Sequence, residues 1–397
     1  MRLLGGSQAT VLTPYVAPAR PARRTRRGAG GSGAYPVLDH LGFVERTSPA
    51  LAAEVARQPA ALASFREAED GLAARGLELD VKTIRRVSEH VGERALRVRD
   101  AFVEAFERGE DGGRGELAGK RVAAVFDGGR TRTRVSGKRG RRRRKTRRRG
   151  FATPWREPKV LALYEFDEHG KKTTREPFYE GTFESWDDAF RIVAAECARR
   201  GAGEARELVI AGDGSPNIWD RVDAFVEAIG IDPARVTRII DFYHAREHLT
   251  DLASLCVNWS AKRRQYWIAR VKRHLKAGRI ERVIEAGEAL RIGRRSPAVE
   301  KAIDHFRSRK ESMRFADFRA RGLPIGTGVV ESAIRRIVNL RLKGPGIFWE
   351  VDNAERMLAL RAQLKSGRWR ELEDHVFAPA AAAGLRRLLP RERTRAA

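Results

Sequence analysis

The chain has 397 residues, 79 of them lysine or arginine against 52 aspartate or glutamate, giving a net charge of +27 and a pI near 11.0. That surplus is far beyond what solubility requires and suits a polyanionic partner, nucleic acid first. With Cys197 and Cys256 as its only cysteines the chain can build neither a disulfide framework nor a thiolate zinc cage, and no apolar run approaches the roughly 18 residues that span a bilayer or forms a secretory h-region, so a cytoplasmic, nucleoid-associated protein of several domains is expected.

Residues 1–36 mix arginine with glycine and proline, a composition that cannot offset the conformational entropy lost in folding. They read as a disordered basic tail. From 37 to 115 apolar residues recur at helical spacing. Within that stretch Gly76 separates two helical patterns, and Asp80 stands as N-cap before Val81, Ile84, Val87 and Val91, as in a helix-turn-helix. Lys82, Arg85 and Arg86 then face outward, toward DNA if the motif reads DNA and toward plain solvent if it is an ordinary helix pair.

After the Gly-rich "GEDGGRGELAG" the period changes to short continuous apolar runs, which predicts buried strands in a second domain over 116–244. "KRVAAVFDGG" is the first strand. A basic loop, Arg130 to Arg149, follows, thirteen of its twenty residues being Arg or Lys; Arg130, Arg141, Arg142, Arg143 and Arg144 are candidate phosphate contacts there. "KVLALYEFDEHGKKTTREPFYEGTF" predicts two strands about the turn His169–Gly170, "SWDDAFRIVAAECARRG" a helix capped by Ser185, "ELVIAGDGS" a strand, residues 218–229 a helix, and "VTRIIDFYH" a final strand. Three strands, helix, strand, helix, strand is the order of an RNase H-like α/β fold with a mixed sheet. Residues 245–325 read as an all-helical insertion rich in Arg, Lys and Trp. The sheet domain resumes over 326–366, with Glu331 in the first turns of a helix introduced by Gly326, Thr327 and Gly328, and 367–397 form a basic tail.

Three apolar strands each end in an aspartate: Asp127 in "VAAVFDG", Asp213 in "LVIAGDG" and Asp241 in "RIIDFYH". A carboxylate at the lip of a buried strand is costly to desolvate unless hydrogen bonds or a cation compensate, and a hard divalent ion bound through one or two carboxylates and phosphate oxygens is such a cation. Any one of these aspartates could equally be a turn residue, and Glu331 a surface acid paired with Arg335. The segment "HAREH" also fits an inverted zinc-peptidase pattern, with His244 and His248 on one helical face and Glu247 between them.

The blocks "FDGGR", "IAGDGS", "DFYHAREHL" and "GTGVVESAIRRIVNLRLKGPGIFW", in this order from about Val122 to Trp349, resemble the signature blocks of insertion-sequence DDE transposases of the Mutator-like superfamily. The resemblance implies catalytic, metal-holding acids at Asp127, Asp213 and Glu331, with Asp241 and His244 as an accessory pair. A rival alignment makes Asp241 the second catalytic aspartate and Asp213 auxiliary. It further implies two Mg2+ or Mn2+ ions about 4 Å apart, double-stranded DNA as substrate, both transposon ends and target, and a homodimer or higher oligomer on that DNA. Arg335, Arg336, Arg341 and Lys343, trailing Glu331, are candidate phosphate contacts, and Trp219, Trp259, Trp267, Trp349 and Trp369 candidate stacking surfaces for bases. A domesticated, non-catalytic nucleic-acid binder remains the alternative.

Overall fold

The computed structural model describes residues 3, 7–8, 10–17, 35–44, 46–110, 115–136, 151–293 and 296–377. Most of the expected basic N-terminal tail, the arginines Arg141, Arg142, Arg143 and Arg144, and the end of the C-terminal tail lie outside them. The chain divides into two compact units, Met1–Arg99 with Asp352–Ala397, and Asp100–Val351. Among the described residues no helix is long and apolar enough to cross a membrane.

The first unit is helical: α1 (Pro36–His40), α2 (Pro49–Ala61), α3 (Phe65–Ala73), the greater part of α4 (Val81–Glu107), and two helices from the end of the chain, Val351–Lys365 and Trp369–Val376. Asp80 starts α4 as expected, its carboxylate accepting from the Lys82 and Thr83 amides at 2.9 and 3.1 Å and from the Thr83 hydroxyl at 2.8 Å. Ile84, Val87 and Val91 are buried on one face, while Lys82, Arg85 and Arg86 are exposed on the other, and Gly76 takes a left-handed turn at φ 76° between α3 and α4.

Two boundaries differ from expectation. The helical unit ends at Arg99 rather than near 115, and the helix Val351–Lys365, expected to complete the sheet domain, packs almost wholly within the helical unit. The reason is its burial on every side. Arg361, 1% exposed, donates to the Ala60 carbonyl at 2.6 Å, and Glu355 pairs with Arg99 at 2.9 Å, so its polar residues are satisfied by α2 and α4. The residues after 366, expected to be only a tail, supply Trp369–Val376 to the same unit.

The second unit is α/β, with nine strands among its described residues. Five form one sheet in the order β7 (Phe178–Thr182), β6 (Lys159–Glu165), β1 (Arg121–Gly128), β8 (Glu207–Gly212), β9 (Val236–Ile240). β7–β6 and β6–β1 are antiparallel, whereas β1–β8 and β8–β9 are parallel, each parallel step being made through helices as such crossovers require. Between β1 and β6 the chain makes a narrow ribbon of two-residue strands, β2 (Thr131–Arg132) paired with β5 (Trp155–Arg156) and β3 (Val135–Ser136) with β4 (Phe151–Ala152).

Period-2 alternation decides what each face of the sheet meets. Val122, Ala124, Phe126, Leu161, Leu163, Leu208 and Ile210 point into one core under α5 (Trp186–Arg199), α6 (Pro216–Trp219) and α7 (Val222–Ala228). There Phe126 stacks on Phe190 at 4.6 Å and meets Phe225 edge-on at 5.9 Å. After β9 come α8 (Phe242–Ser254), α9 (Ala261–Lys276), α10 (Ile280–Glu288), α11 (Ser296–Ser308) and α12 (Phe315–Ala320), the expected all-helical insertion, beginning three residues earlier than its expected start. The chain then returns through α13 (Gly328–Ala333), which lies against β1 and β6, and continues as a π-helical stretch, Ile334–Asn339, into α14 (Leu340–Leu342).

Candidate active site at the strand ends

The three aspartates align because the parallel strands share a register. Val125 pairs with Ala211 and Gly212 with Ile240, so continuing the rows sets Asp127 level with Asp213, and Asp213 level with Asp241. By alternation Asp127 belongs with Val125 on the face opposite the Phe126 core, the face on which α13 packs. Glu331, on α13, is thereby carried to the same lip from far along the chain.

Asp127 is half-buried and accepts the Gly128 amide at 2.7 Å. Burial pushes its pKa up to about 6 from 3.8; the Gly128 bond and His244 oppose the shift, and the negative charges of Asp213 and Glu331 add to it. Asp213, Glu331 and His244 therefore all act on Asp127 through space, as neighbouring charges do on a partly desolvated carboxyl. Asp213 is held from behind: its Oδ1 accepts the Ser215 amide at 2.8 Å, and Trp219 Nε1 donates to its carbonyl oxygen.

Asp241 occupies the same row but is otherwise employed. It is fully buried, and its Oδ1 accepts the His244 amide at 2.7 Å as N-cap of α8. Its Oδ2 accepts both the amide and the hydroxyl of Thr327, at 2.6 and 2.8 Å. The same Thr327 hydroxyl lies 3.4 Å from Glu331 Oε1. Asp241 thus fastens the loop ahead of α13 to the end of β9.

His248 and His305 stack at 3.8 Å. The His305 ring also closes on Gly214, where an added Cβ would come within 1.9 Å of it. Burial drives the His305 pKa down to about 3, with His248, Arg309 and His244 acting in the same direction, and its Nε2 is buried without a hydrogen-bond partner. Burial also lowers the His248 pKa. Glu247 is exposed and lies 3.6 Å from His244 Nδ1. The two histidines of the zinc-peptidase pattern are therefore spoken for by different neighbours, and among the described residues no three His, Cys, Asp or Glu side chains form a group able to hold one metal ion.

The basic and aromatic candidates divide. Arg85, Arg86, Arg130, Arg335 and Lys343 are exposed, Arg85 with its guanidinium over the Phe65 ring at 5.3 Å. Arg336 is half-buried and donates to the Tyr179 hydroxyl at 3.3 Å. Arg341 departs from expectation: it is 4% exposed, packed over Trp349 at 4.7 Å, and so does not lie on a solvated basic face. Trp267 and Trp369 are buried, which leaves no face of either for a base, and Trp219 is half-buried with its Nε1 donating to the Asp213 carbonyl. Reading the sequence missed Thr327, His305 and the exposed Trp155; the Thr before "GVVES" was noted only as a helix start. Compared with known proteins, the chain matches no family model and no curated protein.

Proposed function

We propose that the chain is a metal-dependent polynucleotidyl transferase of the DDE transposase kind, built on an RNase H-like sheet. The observation that carries the reading is the register that sets Asp127 level with Asp213 on adjacent parallel strands, with Glu331 on a helix packed against β1 and linked through Thr327 to Asp241 in the same row. Accumulated negative charge at a half-desolvated lip is what a hard cation relieves. Magnesium or manganese would be held by Asp127, Asp213 and Glu331, with water and substrate phosphate as the remaining oxygen ligands. When bound, such ions supply Lewis acidity at phosphorus and a nucleophilic oxygen at neutral pH.

The chain's own residues do the positioning. Asp241 fixes Thr327 and with it the approach of Glu331. His244, whose cationic form is attracted to Asp127, stands where it would orient the scissile phosphate, and Arg335 and Lys343, exposed beyond Glu331, offer guanidinium and ammonium groups to the flanking backbone. A water oxygen attacks phosphorus and the P–O3′ bond breaks, leaving a 5′ phosphate and a 3′ hydroxyl; that hydroxyl then attacks a phosphorus of the target strand, whose own P–O3′ bond breaks to release a target 3′ hydroxyl, the attacking oxygen's proton passing to the departing one. Double-stranded DNA is the substrate, and joining two ends calls for at least a dimer.

Duplexes taken from the DNA flanking the chain's own coding sequence, incubated with Mg2+ or Mn2+, test the reading. Asp127→Asn, Asp213→Asn and Glu331→Gln should each abolish nicking while duplex affinity stays within about two-fold, since they remove metal ligands and leave phosphate contacts in place. Nicking at the wild-type rate by any of the three sinks the assignment. Tight binding with no metal-dependent cleavage of any duplex by the wild type would favour a non-catalytic binder.

A further inference from the structure

Residues 130–134 alternate strictly. Thr131 and Thr133 are 1% and 0% exposed, while Arg130, Arg132 and Arg134 are exposed. The inner face is committed to the fold: the Thr131 hydroxyl donates to the Leu342 carbonyl at 2.9 Å, and the Arg134 amide to the Trp349 carbonyl at 2.6 Å. The outer face has no such role. On it the guanidiniums of Arg130 and Arg132 lie over the Trp155 ring at 4.4 and 4.7 Å, and that of Arg134 over Phe151 at 4.7 Å. Trp155 and Phe151 remain 44% and 43% exposed.

Three features of this face need a ligand to explain them. Among the described residues no carboxylate pairs with Arg130, Arg132 or Arg134, and the nearby acid Glu157 lies instead 3.9 Å from Lys159 Nζ. Two large rings are left in water although the inner face shows that the ribbon can bury what it must. The arginines repeat every second residue, about 6.6 Å along a strand, in line with successive phosphates of an extended polynucleotide. The ribbon also starts at the candidate site, for only Gly128 and Gly129 separate Asp127 from Arg130.

We propose that this ribbon is a stacking platform for an unpaired nucleic-acid strand, with bases against Trp155 and Phe151 and phosphates on Arg130, Arg132 and Arg134. An aromatic face flanked by guanidiniums accepts any base by stacking, whereas the bases of an intact duplex present no face to it. The inference rests on nucleic acid being the substrate and names the form taken at the edge of the site: the strand frayed or freed beside the scissile bond.

Binding without metal tests this separately from catalysis. The full chain in EDTA is titrated into a labelled oligodeoxythymidine of about 15 nucleotides and into a duplex of equal length, with Trp fluorescence followed in parallel. Trp155→Ala should weaken the single strand roughly ten-fold and the duplex less than two-fold, Trp155→Phe should restore most of the loss, and Phe151→Ala should act in the same direction as Trp155→Ala. Arg132→Ala should reduce the single-strand salt slope by about 0.7. Equal losses for both nucleic acids, no loss for either, or displacement of the oligonucleotide by polyglutamate at equal charge concentration would overturn the platform. Those results leave the metal-dependent reading standing, and an absence of cleavage by the wild type would in turn leave the platform standing.

Discussion

Asp127 and Asp241 end strands of one sheet in one row, yet their surroundings assign them different work. Asp241 has its oxygens filled by the His244 amide and by Thr327; Asp127 has one backbone donor and a surplus of negative neighbours. In the folded chain Asp127 takes up its proton near pH 6, in the unfolded chain near 3.8. Between these values the folded state binds more protons, so stability falls as pH rises through that window. Asp127→Asn removes the titration and should be more stable than wild type at about pH 7 by on the order of 2–3 kcal/mol, the gain vanishing below about pH 4; urea unfolding at several pH values checks it, and an unchanged or lower midpoint near neutrality contradicts it. A second residue-scale test concerns Gly214, next to Asp213. A methyl there meets the His305 ring, so Gly214→Ala should impair nicking strongly and His305→Ala should recover much of that loss by making room. Equal impairment in both backgrounds would show that the ring does not set the Asp213 loop. That the three aspartates end strands of one sheet was legible in the apolar runs that precede them. Which of Asp213 and Asp241 the fold fills with hydrogen bonds from a remote segment was not, because both end strands of identical pattern and the difference lies in a contact with Thr327. His305 gave no signal either: one histidine on an amphipathic helix looks like any other.

At the scale of elements, strands β1, β6, β7, β8 and β9 and the helices between them could be read in order, since buried strands and amphipathic helices leave opposite periodicities. The two-residue strands of the ribbon could not, for two residues carry no period, and the run of arginine around them reads as solvent-facing loop. The helix Val351–Lys365 was placed with the wrong unit for a related reason: a helix buried all round shows no stripe to say what it packs on, and its buried Arg361 and Glu355 resemble surface residues until their partners in α2 and α4 are seen. Its crossing with α4 is close. An added Cβ on Gly92 would stand 2.7 Å from Arg356 Cβ and 3.2 Å from its carbonyl oxygen. Helix propensity alone favours Gly92→Ala by about 1 kcal/mol, but overpacking against a neighbouring backbone costs about 1–3 kcal/mol, so the variant is expected to be less stable than wild type by up to about 2 kcal/mol. Denaturant midpoints with an unchanged m-value would show it; a stabilised variant would mean the crossing has room to open.

For the molecule as a whole, the net charge of +27 sets the character of any association with nucleic acid. Phosphate contacts release condensed counterions, so duplex affinity should fall roughly a thousand-fold or more between about 50 and 200 mM salt, with a log–log slope of about −5 or steeper. A shallow slope would show that most of this charge serves other ends. The charge and the α/β class were both plain from composition and periodicity. The division into two units was not, because its second boundary falls at Val351–Asp352, at the start of a helix whose sequence gives no break.

The helical insertion leaves the sheet at Asp241 and returns at Thr327, and the two points are joined by the Asp241 carboxylate, with the Phe242 amide bonded to the Ile325 carbonyl at 3.1 Å beside them. The excursion is thus clasped at its neck. Loop-closure entropy grows only slowly with length, and here the closure is made at the two ends of the excursion, so lengthening or trimming it in the middle, away from His305, would leave the distance between those ends, and hence the seat of Glu331, as it is. Such a module is one that evolution can resize without rebuilding the sheet beneath it.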